Sequence, residues 1–266
     1  MRDGVRDGVR ADVHADVRAD VRADVRADVR ADVVSNREDA LDANGNAGES
    51  RRTGAVIFDC DGVLVDSERL MNVVFTGMLN ELGLSYSFAE TTHTFMGRSM
   101  TSCMQIVEQA LGRPAPADFL RVLDERAGAV FARELRTVHG VEAVLDALDH
   151  AGTPYAVASS GSHEKMQVTL GVTGLLPRLA GRITSATEVA HGKPAPDVFL
   201  LAATRLGVSP PQCIVIEDSL LGIEAALAAG MRVIGYAAMV SAADMRTAGA
   251  THVVTTMAEV VALLAD

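Results

Sequence analysis

Short apolar runs, set between polar and glycine-punctuated stretches, dominate the chain after residue 52. Ala55-Val56-Ile57-Phe58 is the first, and four apolar residues without alternation predict a strand buried on both faces. Comparable runs recur at 155–158, 213–216, 231–234 and 252–254. Helical patterns lie between them, at about 162–170, 196–206, 219–229 and 242–248, with Gly207 and Gly230 where helices end. Strands alternating with helices predict an α/β fold, a parallel sheet with helices on both faces. One stretch breaks the alternation. From about 67 to 136 the patterns are helical, no strand run occurs, and Gly83, Gly97 and Gly112-Arg113-Pro114 punctuate them. This predicts an inserted α-helical cap domain at 67–137, with the core made of 53–66 and 138–266.

Before residue 53 the pattern is different again. From Ala11 to about Val33 the chain repeats Ala-Asp-Val-Arg, with His14 in place of one arginine. Valine and aspartate are poor helix formers, and like charges recur at i,i+4, where they repel. A four-residue period is too short for a solenoid unit. Residues 1–52 are therefore expected to be a disordered, low-complexity tail. A charged interaction arm is the functional alternative, and translation from a later start near Val33 is the plainer one.

Composition narrows the classes. Of the 266 residues 48% are hydrophobic, enough for a sizeable core, and the net charge of −11 argues against a nucleic-acid partner. No apolar run is long enough to span a bilayer and no signal segment opens the chain, so no membrane partner is expected. The three cysteines, Cys60, Cys103 and Cys213, have neither metal nor disulfide spacing. They read as small buried hydrophobes of a cytoplasmic protein.

In open α/β sheets ligands bind beyond the carboxyl ends of the strands, and four polar motifs sit there. The first strand runs into Asp59-Cys60-Asp61-Gly62. Two carboxylates two residues apart can face one pocket, and Gly62 lets the chain turn. The second strand ends at Ser159-Ser160-Gly161-Ser162 before a helix, where hydroxyls and free N–H groups suit a phosphate, though serine is also the ordinary N-cap. Gly192-Lys193-Pro194-Ala195-Pro196 can hold Lys193 as a fixed positive charge. Glu217-Asp218-Ser219 follows the buried run 213–216, and two acids at the end of a buried strand call for a cation. A helix cap would explain Asp218 or Ser219 without needing both acids.

These residues resemble the haloacid dehalogenase superfamily, in its branch of helically capped sugar phosphatases and β-phosphoglucomutase-like proteins. The string from Phe58 to Glu68, FDCDGVLVDSE, is similar to the family's opening motif, and Ser159, Lys193 and Glu217-Asp218 to the remaining three, in order. The resemblance covers about 54–264 and implies a Rossmann-like core. It also implies roles. Asp59 is the covalent nucleophile and Asp61 the general acid and base. Ser159, Ser160 and Lys193 hold the phosphate. Mg²⁺ is bound by Asp59, the main-chain carbonyl of Asp61, and Asp218, with Glu217 beside them. Family members are often monomers, which sets that expectation here.

The implied activity is Mg-dependent hydrolysis of a small phosphorylated metabolite through an aspartyl-phosphate. Dehalogenation is disfavoured because a halide needs no protonating acid, whereas Asp61 is present. A phosphomutase keeps both aspartates, but β-phosphoglucomutases usually carry a histidine in the cap linker. Here 67–72 reads Ser-Glu-Arg-Leu-Met-Asn. A phosphonate hydrolase would need a cap lysine, and none occurs between Asp61 and His150. A non-catalytic phosphometabolite-binding protein would be expected to have lost a catalytic residue, and none is lost. For substrate specificity the candidates are Arg98, which Gly97 could aim inward, and Glu68, just past the first motif. A solvated arginine and a hinge residue are the plainer readings of the two.

Overall fold

The computed structural model describes residues 53–96, 98 and 100–265. The expectation for 1–52 lies outside the described residues, as does Gly97. Among the described residues six strands form one sheet, all parallel, in the order β3-β2-β1-β4-β5-β6. They are β1 (Ala55–Phe58), β2 (Tyr155–Ser159), β3 (Ile183–Ser185), β4 (Cys213–Glu217), β5 (Arg232–Tyr236) and β6 (His252–Val254). Five of them lie on the apolar runs. β3 was not expected: it has three residues, only one of them apolar.

The unbroken apolar runs are explained by what covers the sheet. Because successive side chains alternate, Val56 and Phe58 of β1 enter one core while Ala55 and Ile57 enter another. The first core is completed by α5 (Val141–Ala151), α6 (His163–Val172) and α11 (Met257–Ala265). The second is completed by α8 (Asp197–Leu206), α9 (Leu220–Ala228) and α10 (Ala242–Thr247). A short α7 (Leu176–Leu179) precedes β3. Ser162, Ser219 and Ser241 each accept a backbone N–H as N-caps of α6, α9 and α10, so the capping reading of the first two serines holds.

Between β1 and α5 the described residues contain no strand. They form α1 (Ser67–Glu81), α2 (Phe88–Phe95), α3 (Met100–Leu111) and α4 (Phe119–Glu134). Phe75 of α1 meets Phe95 of α2 and Phe119 of α4 edge-on, with ring centroids 5.0 and 6.0 Å apart. Ser87 opens α2 with a capping box closed by Glu90. The chain divides into two compact units. One comprises Arg51–Met100 and Ala117–Asp266 and holds the whole sheet; Thr101–Pro116, most of α3, belongs to the other. No helix among the described residues is long and apolar enough to cross a membrane.

Candidate active site

β1 lies between β2 and β4, so the point where strand order reverses falls beside it. Ligand sites of open sheets occur at such points, outside the carboxyl ends. Asp59 follows β1 directly, and its N–H bonds to Ile216 O of β4 at 3.0 Å. That bond extends the ladder by one residue and sets the carboxylate beside the end of β4.

Three buried acids meet there. Ligand oxygens of Asp59, Glu217 and Asp218 all lie within 4.8 Å of one another. Lys193, only 4% exposed, donates to Asp59 Oδ1 and Glu217 Oε1, each at 2.6 Å, and its ammonium lies 4.7 Å from the centre of the Phe199 ring. Glu217 also accepts the Ser219 N–H at 2.7 Å. Asp218 is the unsatisfied member, and its Oδ2 is buried without a hydrogen-bond partner.

Burial first, and neighbouring charge second, explain the acid strengths. Burial pushes Asp59 up to about 7, with the Glu217 and Asp61 charges adding to the rise and Lys193 opposing it. Burial, then Glu217 and Asp59, raise Asp218 well above the usual carboxylate range. One ammonium cannot balance three carboxylates. An all-oxygen set with a buried orphan oxygen fits a hard divalent cation.

Two glycines make room for this cluster. A Cβ on Gly62, where φ is +83°, would collide with the Asp218 carboxylate, and one on Gly222 with the Glu217 carboxylate. The acids are packed directly against main chain on two sides.

Asp61 stands apart from the three. Ser67 Oγ donates to its Oδ1, and Lys165 Nζ to its Oδ2 at 2.8 Å. Burial alone would raise this carboxyl, but Lys165, Ser67 and Lys193 outweigh burial and hold it below its ordinary value. Ser159 is buried at the end of β2 and accepts the Gly161 N–H at 3.0 Å, whereas Ser160 is exposed. Glu68 is half-buried, and burial with the Asp61 charge lifts it to about 7 against the pull of Lys165. Arg98 turns back on its own chain, with Nε donating to Thr94 O at 2.9 Å.

Lys165 is the site residue that motif reading passes over, since it lies inside α6 rather than at a strand end. Two signals point to it. The chain has only two lysines, 165 and 193, against many arginines, and both meet aspartates of this site. Lys165 also falls three residues after the N-cap Ser162, in the turn where the helix dipole disfavours a cation.

The family model described as haloacid dehalogenase-like hydrolase matches residues 56–236. The 6-phosphogluconate phosphatase of Escherichia coli is 30% identical over 188 residues, 70% of this chain and 84% of the relative. A fructose-1-phosphate phosphatase of the same organism is 31% identical over 180 residues, 68% of this chain and 94% of the relative. Among solved structures, a family hydrolase from Deinococcus radiodurans with bound phosphate and sodium is 35% identical. It aligns with a TM-score of 0.70 over 81% of this chain and 96% of its own. The sheet order, the strand-end acids and these matches agree: the chain belongs to the haloacid dehalogenase-like hydrolases.

Proposed function

We propose that the chain hydrolyses small phosphate monoesters, sugar phosphates foremost, with Asp59 as nucleophile. The observation that carries this reading is the convergence of Asp59, Glu217, Asp218 and Lys193 at the end of β1, with Asp61 tethered separately beside them. The relatives that act on 6-phosphogluconate and fructose 1-phosphate support the substrate class.

Asp59 attacks phosphorus as the ester P–O bond breaks, giving an aspartyl-phosphate. Asp61 passes a proton to the leaving oxygen; a monoester with a second ionisation near pH 6 brings that proton to the site as its monoanion. Asp61 then takes a proton from the water that attacks the aspartyl-phosphate, which frees phosphate and restores Asp59. Lys193 and Ser159, with Ser160 in the same turn, hold the phosphoryl oxygens. Asp59, Asp218 and the main-chain carbonyl of Asp61, with Glu217 beside them, would hold Mg²⁺. When bound, Mg²⁺ supplies the positive charge that lets an anionic nucleophile meet an anionic ester. Residues 67–137 act as a cap that shields the bound ester from water, with Glu68 and Arg98 as candidate substrate contacts. The net charge of −11 and three free buried cysteines support a cytoplasmic enzyme with no nucleic-acid or membrane partner, and we take it to act as a monomer.

Phosphate release is measured from a panel of sugar phosphates and an aryl phosphate, with Mg²⁺, with chelator, and with Asp59→Asn. Release that needs both Mg²⁺ and Asp59 is the expected result. Isomerised hexose phosphate without free phosphate would replace hydrolysis by mutase chemistry, and no turnover of any ester would leave binding alone.

A further inference from the structure

The two lysines occupy different situations. Lys193 is enclosed, with two carboxylate partners and 4% exposure. Lys165 is 34% exposed and has one carboxylate partner, Asp61 Oδ2. Its backbone lies in the first turn of α6, 104 residues from Asp61 in the chain, so no local preference brings the two together.

Three observations argue against an incidental surface pair. The ammonium sits where the dipole of α6 opposes a cation, so the helix gains nothing from it. Every cation outside this site is an arginine or a histidine, so a mere need for positive charge is met elsewhere by arginine. Lysine differs in offering a compact ammonium without a planar fork. And Asp61 is held through both oxygens, Oδ1 by Ser67 and Oδ2 by Lys165. A carboxylate tied at one oxygen can still swing; one tied at both has its direction fixed.

We propose that Lys165 is a positioning residue that, together with Ser67, fixes the Asp61 carboxylate in the orientation it needs to serve the leaving oxygen and then the attacking water. The inference rests on the phosphatase reading and on Asp61 as its acid and base. The two ester classes separate the effect. An alkyl phosphate, such as a hexitol phosphate, must have its leaving oxygen protonated. p-Nitrophenyl phosphate leaves as a stable phenolate and needs no proton, but its aspartyl-phosphate still waits for activated water.

Lys165→Met and Lys165→Arg are compared with wild type on both esters with Mg²⁺ present, by steady-state and rapid-mixing kinetics. For Lys165→Met, kcat on the alkyl ester is expected to fall at least about 30-fold, a part of the roughly 10²–10⁴-fold that general acid–base catalysis supplies. KM should stay within about threefold. With the aryl ester the steady state should slow while the first turnover still releases about one nitrophenolate per site. That burst also reports that the variant is folded with Asp59 competent. Lys165→Arg should lie between the two. Proportional loss on both esters together with a shrunken burst would mean a structural role and overturn the proposal. A raised KM at unchanged kcat would make Lys165 a substrate contact and overturn it too, as would wild-type kinetics. If wild type itself releases phosphate from neither ester, the phosphatase reading fails first and takes this inference with it.

Discussion

Replacing Asp59 by asparagine is expected to make the metal-free protein more stable while abolishing its chemistry. Asp59 is 6% exposed and shares its surroundings with Glu217 and Asp218, so its negative charge is unfavourable in the fold even with Lys193 bound. The rise from 3.8 to about 7, at about 1.36 kcal/mol per pH unit, amounts to about 4 kcal/mol above pH 7. The sign follows from linkage. A carboxyl whose folded pKa exceeds its unfolded pKa gives stability that is complete below the unfolded value and disappears as pH rises through the folded one. Asparagine stands in for the neutral form at every pH. The variant's advantage should therefore be on the order of 4 kcal/mol at pH 8 and clearly smaller at pH 5. Urea unfolding in chelator at the two pH values measures it. With Mg²⁺ at a hundredfold its Kd the wild type should recover about 2.7 kcal/mol that the variant does not. A variant no more stable than wild type at pH 8, or a gap that does not change with pH, would refute the electrostatic reading of the cluster.

Other substitutions probe the same arrangement. Gly62→Ala forces a side chain into a left-handed position and into the Asp218 carboxylate; a loss of about 1–3 kcal/mol in urea unfolding is expected, with Mg²⁺-dependent phosphate release reduced at least about 100-fold. Lys193→Met leaves Asp59 and Glu217 without their ammonium. In chelator at pH 8 it should cost about 3–5 kcal/mol, and less at pH 5, where Asp59 is largely neutral. Phe58→Ala removes a fully buried ring that meets Tyr155 edge-on, with centroids 6.2 Å apart. Calorimetric or urea unfolding should show a loss of about 3–5 kcal/mol.

What could be read from the sequence follows from which signals are local. A strand covered on both faces must be apolar throughout, so β1 and β4 stand out as runs, and the acids that end them mark the site. β3 gives no such signal: it is a three-residue edge strand, Ile-Thr-Ser, whose Thr184 and Ser185 are buried through side-chain bonding rather than hydrophobicity. Helix α5 carries its pattern at Val141, Val144, Leu145 and Leu148, all buried; it lies within the expected core stretch, but apolar runs do not reveal it. Lys165 belongs to a third kind. Its partner is far away in the chain, and only its oddity, a cation in a first helical turn and one of two lysines, is visible beforehand.

The central place of β1 has a consequence for how the molecule comes into being. One edge of this strand is satisfied by β2, which begins at Tyr155, and the other by β4, which begins at Cys213. A chain growing from its N-terminus therefore carries four consecutive apolar residues with both edges unpaired for about a hundred residues of synthesis, and with one edge still open for some sixty more. Open edges of this kind invite pairing with other chains. The same strand that anchors the nucleophile is thus the part of the newborn chain most in need of shelter, and slow synthesis or truncation before β4 should show first as aggregation.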